Sequence, residues 1–242
     1  KPPHLIPREE RDKVVKLKEM YIDIGVTNKD ELDEAGVRVG DPIIPRADFV
    51  VLSNKKSYLS KAFDDRVGVA LMISVLQNLQ KEEHPNSVYA AATVLEEVNL
   101  GGAKTSADVI NPDVALILET GLAGDVPGVK PDESAVKLGI GPAILLYDPR
   151  MVPNLKLRDF VLDTARDIDV PVQTQVMLGG TTDGAVIHLH KTGVPTIVIG
   201  VPARHIHSHS SIIHREDYDW TVQLIQTLVT RMDEKTVKEF VK

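Results

Sequence analysis

Cysteine is absent from this 242-residue chain, which rules out disulfides and every thiolate metal site. Any metal would have to sit on histidine, aspartate and glutamate. No run of about 18 apolar residues occurs, so no membrane-spanning helix is expected. No apolar segment follows a basic start, so no secretory leader is expected, and the expected location is the cytoplasm. A basic excess is missing too: 28 Lys and Arg stand against 35 Asp and Glu, a net charge of −7. Phosphate backbones are bound by basic faces, so nucleic acid is set aside and small or peptide substrates remain. Internal repeats and low-complexity tracts are also absent.

What is present is a chain that is 43% hydrophobic, enough for a sizeable core in one large domain. Residues 1–47 are rich in charge and proline. They contain an acidic helix-like stretch at 29–35 and short apolar runs at 20–24 and 37–39 that predict small strands, but they are too short and polar to carry a core. From Asp48 the pattern changes. Strands are expected at 49–52, 87–95, 114–118, 172–176 and 196–200, those at 87–95 and 114–118 being central. Helices are expected at 66–80, 101–109, 155–168, 183–191 and, as one long C-terminal helix, 218–240. Strands alternating with helices predict a layered α/β domain with a mostly parallel or mixed sheet.

In open α/β sheets, ligands gather beyond the carboxyl ends of the strands. Asp64 and Asp65 stand before a helix, Glu96 and Glu97 end the run 87–95, Glu119 ends the run 114–118, and His207 follows the strand at 196–200. Convergence of carboxylates and an imidazole on one sheet edge is the layout of an oxygen- and nitrogen-ligated metal site. Each signal has a bland alternative. Asp64 and Asp65 could cap the following helix, the commoner role of Asp in that place. Glu96 and Glu97 could be a solvated strand end. Strand neighbours point to opposite faces, so both serve one site only if the chain turns there, as Asn99 and the Gly101–Gly102 pair suggest. Histidines 205, 207 and 209 share a face if extended, yet histidine-rich loops are often merely exposed. The joint placement outweighs the separate alternatives.

Five strings occur in order: AFDDR at 62–66, TVLEEV with GGA at 93–98 and 101–103, ETGLAGDVPG at 119–128, LGGTTDGA at 178–185 and PARHIHS at 202–208. In these, nearly the whole chain resembles the co-catalytic metallo-aminopeptidases that assemble as tetrahedral particles, a family with glutamyl and deblocking members and proteins once labelled endoglucanase M. The resemblance implies a three-layer α/β/α metallopeptidase domain with a mixed sheet over 48–242. It also implies that 1–47 is the latter part of an inserted, small β-rich dimerisation domain. Asp64 would bridge two divalent ions, zinc or cobalt, and would precede Asp65 across a cis peptide bond. Glu97 and His207 would hold one ion and Glu119 the other, where many relatives have Asp. Glu96 would be the general base, and Gly179 and Gly180 would line the substrate cleft. The family's second metal-binding histidine, on an N-terminal strand, has no counterpart before Asp64, so the natural protein is expected to be longer.

The activity so implied is removal of N-terminal residues from peptides, by a protein that self-associates into a dimer-built dodecamer. A deacylase or dipeptidase on the same scaffold, or a non-catalytic relative, is the alternative. Retention of Glu96 beside Glu97 argues against the non-catalytic reading, which has no need of a base. Paired-carboxylate glycoside cleavage is weaker still, because those carboxyls face each other across a sugar, about 5 Å or more apart, without a histidine among them.

Overall fold

A computed structural model describes residues 1–242. They form two compact units, Lys1–Ile44 and Pro45–Lys242. The first contains three single 3-10 turns and one helix, α1 (Lys29–Glu34), capped by the Asn28 side chain accepting from the Glu31 N–H. None of its residues is buried, and Val14, Leu17, Tyr21 and Val39 stand exposed. The strands expected at 20–24 and 37–39 do not form. A strand needs a backbone partner along its length, and those runs find none.

The second unit is built in the order β1 (Val50–Val51), β2 (Ser57–Ser60), α2 (Phe63–Leu79), α3 (Glu96–Asn99), α4 (Gly101–Ile110), β3 (Ala115–Leu122), β4 (Ala143–Tyr147), α5 (Leu155–Asp167), β5 (Gln173–Val176), α6 (Gly184–Ile187), β6 (Thr196–Arg204), β7 (Ser211–His214), α7 (Arg215–Arg231) and α8 (Glu234–Phe240). The strands form one seven-stranded sheet in the order β1-β2-β7-β6-β4-β5, with β3 pairing β6. The β3–β6 and β4–β5 pairs are parallel and the rest antiparallel, so the sheet is mixed.

Alternation along β3 and β6 separates two faces. Leu116, Leu118, Ile197 and Ile199 belong to the main core, with Val67, Leu71 and Val75 of α2, Leu157 and Val161 of α5, Leu224 and Leu228 of α7 and Phe240 of α8. Ile117 and Val198 point the other way, into a smaller cluster with Leu145, Met151 and Ile187. Helices therefore cover both faces, as a β6 buried at every position but Arg204 requires. On α2 the i, i+4 spacing of Val67, Leu71, Val75 and Leu79 makes the buried stripe. Each fully buried Leu or Ile there contributes roughly 1.5–3 kcal/mol.

Two further expectations fail. The run 87–95 forms no strand and joins no ladder. Val88 packs on the core while Tyr89 and Val94 are exposed. Its small and β-branched residues report a fit to a half-buried surface and not a pairing partner. The single C-terminal helix is two, because Asp233 accepts from the Thr236 N–H and caps a new start at Glu234. No helix is long and apolar enough to cross a membrane.

Candidate metal and catalytic centre

Four elements or turns carry the candidate side chains. Asp64 and Asp65 open α2 in non-helical conformations (φ −79°, ψ 108° and φ −118°, ψ 52°), joined by a cis peptide bond. Regular helix begins only after them. Asp65 Oδ1 accepts from the Gly68 N–H at 3.0 Å and so caps it. Gly68 is needed where it stands: a Cβ there would lie 2.2 Å from Asp65 Oδ2 and 2.8 Å from the Leu118 carbonyl oxygen. Its absence lets α2 approach β3.

Glu96 and Glu97 occupy the single helical turn α3, flanked by left-handed Leu95 (φ 64°) and Leu100 (φ 58°). That turn keeps the two carboxylates from being split across the faces of a strand. Glu119 lies inside β3, opposite Gly200 of β6, and is buried. His207 sits in the turn between β6 and β7, itself left-handed (φ 58°). Ser208 Oγ donates to the carbonyls of His205 (2.7 Å) and Ser210 (2.8 Å), which shapes that turn.

The structure brings these groups into two sets sharing one member. His207 Nε2 lies 3.1 Å from Asp64 Oδ2 and 3.5 Å from Glu97 Oε2. Asp64 also converges with Asp65 and Glu119, and within each set one ligand atom per residue lies within 4.8 Å of the others. One imidazole nitrogen with two carboxylate oxygens suits a zinc-like ion, and an all-carboxylate set offers hard oxygen donors. The donor chemistry therefore fits a divalent metal. The presence of Asp65 in the second set was not foreseen; its position next to Asp64 was the available signal.

The electrostatics agree. Burial pushes the Asp65 carboxyl from 3.8 to about 8, against the bond from Gly68, with Asp64, Glu96 and Asp183 adding to the rise. Burial and the negative charges of Asp183, Glu97 and Asp64 lift Glu96 to about 7. Burial, then Asp65 and Asp64, hold Glu119 well above the usual carboxylate range. Like-charged carboxylates crowded in a partly dry site resist ionising together, and a bound cation relieves that.

Around the centre, Arg204 at the end of β6 holds Asp125, beyond the end of β3, through Nε at 3.0 Å and a second, shorter contact. This ties the end of β6, from which the chain runs to His207, to the segment after β3. Gly179 and Gly180 lie in an exposed loop before α6, Gly180 with φ 86°, and join neither ligand set. A cavity of about 370 Å³, lined by Phe49, Tyr58, Phe63, Ile213 and Tyr218 among others, contains none of the candidate side chains.

The chain is 33% identical to the glutamyl aminopeptidase of Lactococcus lactis over 239 residues, 98% of this chain and 66% of that protein. It thus spans slightly under two thirds of that relative's length. A TET aminopeptidase from the marine sediment archaeon Thaumarchaeota archaeon SCGC AB-539-E09 superposes with a TM-score of 0.96 at 46% identity, over 99% of this chain and 67% of that one. The Pyrococcus horikoshii TET1 peptidase, described as assembling into a tetrahedron or a large octahedral shell, matches with a TM-score of 0.82 at 30% identity over 96% of this chain and 67% of that one. The sequence profile of the M42 glutamyl aminopeptidases matches residues 1–224. The sheet order, the cluster at the strand ends and this match agree: the chain belongs to the M42 glutamyl aminopeptidase family.

Proposed function

We propose that this chain is the main part of the catalytic domain of a metallo-aminopeptidase that removes N-terminal residues from peptides. The observation that carries the reading is the meeting of Asp64, Glu97 and His207 with Glu96 alongside. Asp64, Glu97 and His207 would hold one divalent ion, and Asp64 with Glu119 and Asp65 would face a second; zinc and cobalt suit the donors. When bound, such ions supply Lewis acidity toward the scissile carbonyl and acidify water at the site. Glu96 is left free of both ligand sets. Its carboxylate takes the proton from the attacking water and delivers it to the leaving amine nitrogen. Burial and the charge of Asp183 keep this carboxyl readier to hold a proton than an ordinary glutamate, as a group that takes and then delivers one requires. Buried Glu119 and half-buried Asp64 form the floor, while exposed Glu97 and His207 leave the site open toward solvent and peptide.

The similarity to self-assembling peptidases and the unburied apolar residues of 1–44 support a second part of the reading. Residues 1–47 belong to a dimerisation domain, and the full-length protein is a dimer-built oligomer such as a dodecamer.

The test is Glu96→Gln in the metal-loaded full-length protein, assayed on aminoacyl chromogenic substrates. Turnover should fall by roughly 10²–10⁴ with metal content nearly unchanged. Near-normal turnover in this variant would sink the assignment. Wild-type cleavage of acylated amines with no cleavage of free-amine substrates would point instead to a deacylase.

A further inference from the structure

The position of Glu96 and Glu97 poses a physical problem. They follow the run 87–95, which has no ladder bonds to hold it. At its start, Asn86 Nδ2 donates to the carbonyls of Val229 (2.7 Å) and Met232 (2.8 Å). At its end, beyond the α3 turn itself, two hydrogen bonds hold it. The Gly102 N–H donates to the Val94 carbonyl at 2.9 Å, an approach open only to glycine, since a Cβ there would stand 2.3 Å from that oxygen. The other tie is the one side-chain hydrogen bond of the run: Thr93 Oγ1 donates to Asp183 Oδ2 at 2.5 Å.

Asp183 is unusual in its own right. Only 7% of it is exposed, and its Oδ1 has no hydrogen-bond partner. It stands at the N-cap position of α6, yet its side chain makes no capping bond. A buried carboxylate with an orphaned oxygen is unfavourable. Helix capping does not account for it. What its other oxygen does is fasten Thr93, three residues before Glu96, to the start of α6.

We propose that Asp183 and Thr93 form a positioning clamp that sets the α3 turn, placing Glu97 against His207 and Asp64 and Glu96 beside them. The proposal rests on the metallo-aminopeptidase reading for its consequence in turnover, but its consequence for metal binding is independent of any activity. Partners one shell outside the ligands typically change metal affinity or activity by about 10- to 100-fold when removed.

The experiment is a calorimetric zinc titration of metal-stripped full-length protein, with kcat and KM on an aminoacyl substrate measured in parallel. Thr93→Val, which keeps the shape and loses the donor, should weaken zinc binding about tenfold and lower kcat by a similar factor with KM little changed. Thr93→Ser keeps the donor and should stay close to wild type in zinc binding. A double Thr93→Val, Asp183→Leu variant should lose no more than the worse single one, because one contact is removed twice. Circular dichroism establishes that each variant is folded; should Asp183→Leu fail to fold, the Thr93→Val and Thr93→Ser comparison decides alone. Wild-type zinc affinity in Thr93→Val, or failure of Thr93→Ser to restore it, overturns the clamp. If the zinc pattern holds while wild-type protein cleaves no aminoacyl substrate, the clamp stands and the aminopeptidase reading falls.

Discussion

At the scale of single residues, the choice among three histidines shows how local geometry acts. Histidines 205, 207 and 209 alternate in sequence, and on an extended strand all three would share a face. The segment is a turn instead, with His205 at φ 60° and His207 at φ 58°. Only His207 reaches Asp64 and Glu97. Accordingly, His207→Ala should remove most of the bound metal, while His205→Ala and His209→Ala should retain it. Metal analysis of the three purified variants decides, and loss of metal on changing His209 alone would mean the wrong ligand has been named. The candidate residues themselves could be read from sequence, because charged groups ending apolar runs stand out. The Asp183 carboxylate could not be singled out in this way: its meaning depends on burial and on an orphaned oxygen, and neither is a property of neighbouring letters.

At the scale of elements, the start of α2, the α3 turn and the middle of β3 bring acidic groups together that are far apart in sequence. Without a cation this convergence is unfavourable. Asp65 has a native pKa of about 8 against an ordinary 3.8, and Glu96 about 7 against 4.5. The native state therefore binds more protons than the unfolded chain between those limits, and stability falls as pH rises. Chelator-treated protein should melt at a higher temperature near pH 5 than near pH 8, and added zinc should raise the melting temperature most at the higher pH, where the ligands are ionised. Thermal melts at three pH values with and without zinc test this. A melting temperature that rises from pH 5 to pH 8 in stripped protein would contradict the crowding. Most elements were legible from hydrophobic period, including α2, α4, α5, β3 and β6. The exceptions are instructive. β2, β4 and β7 escaped notice, and the run 87–95 resembles a central strand yet pairs with nothing. Strand identity resides in the neighbour, which periodicity does not contain.

At the scale of the whole molecule, two units of very different character share one chain. The residues of Lys1–Ile44 bury nothing, while Pro45–Lys242 closes a two-faced core. An oligomer built through the first unit is the expected solution state of the full-length protein, because apolar side chains left in water favour association. Sedimentation should show a species many times the subunit mass; a clean monomer at micromolar concentration would refute it. The sequence by itself determined the class of fold and the layered core and offered the candidate carboxylates and histidine, because hydrophobic period and residue chemistry are local properties. Only the tertiary structure decided which strands pair, that Asp64 lies within reach of both candidate sets, and that Thr93 bonds Asp183. Those facts depend on distances between residues remote in the chain, and such distances are set by packing.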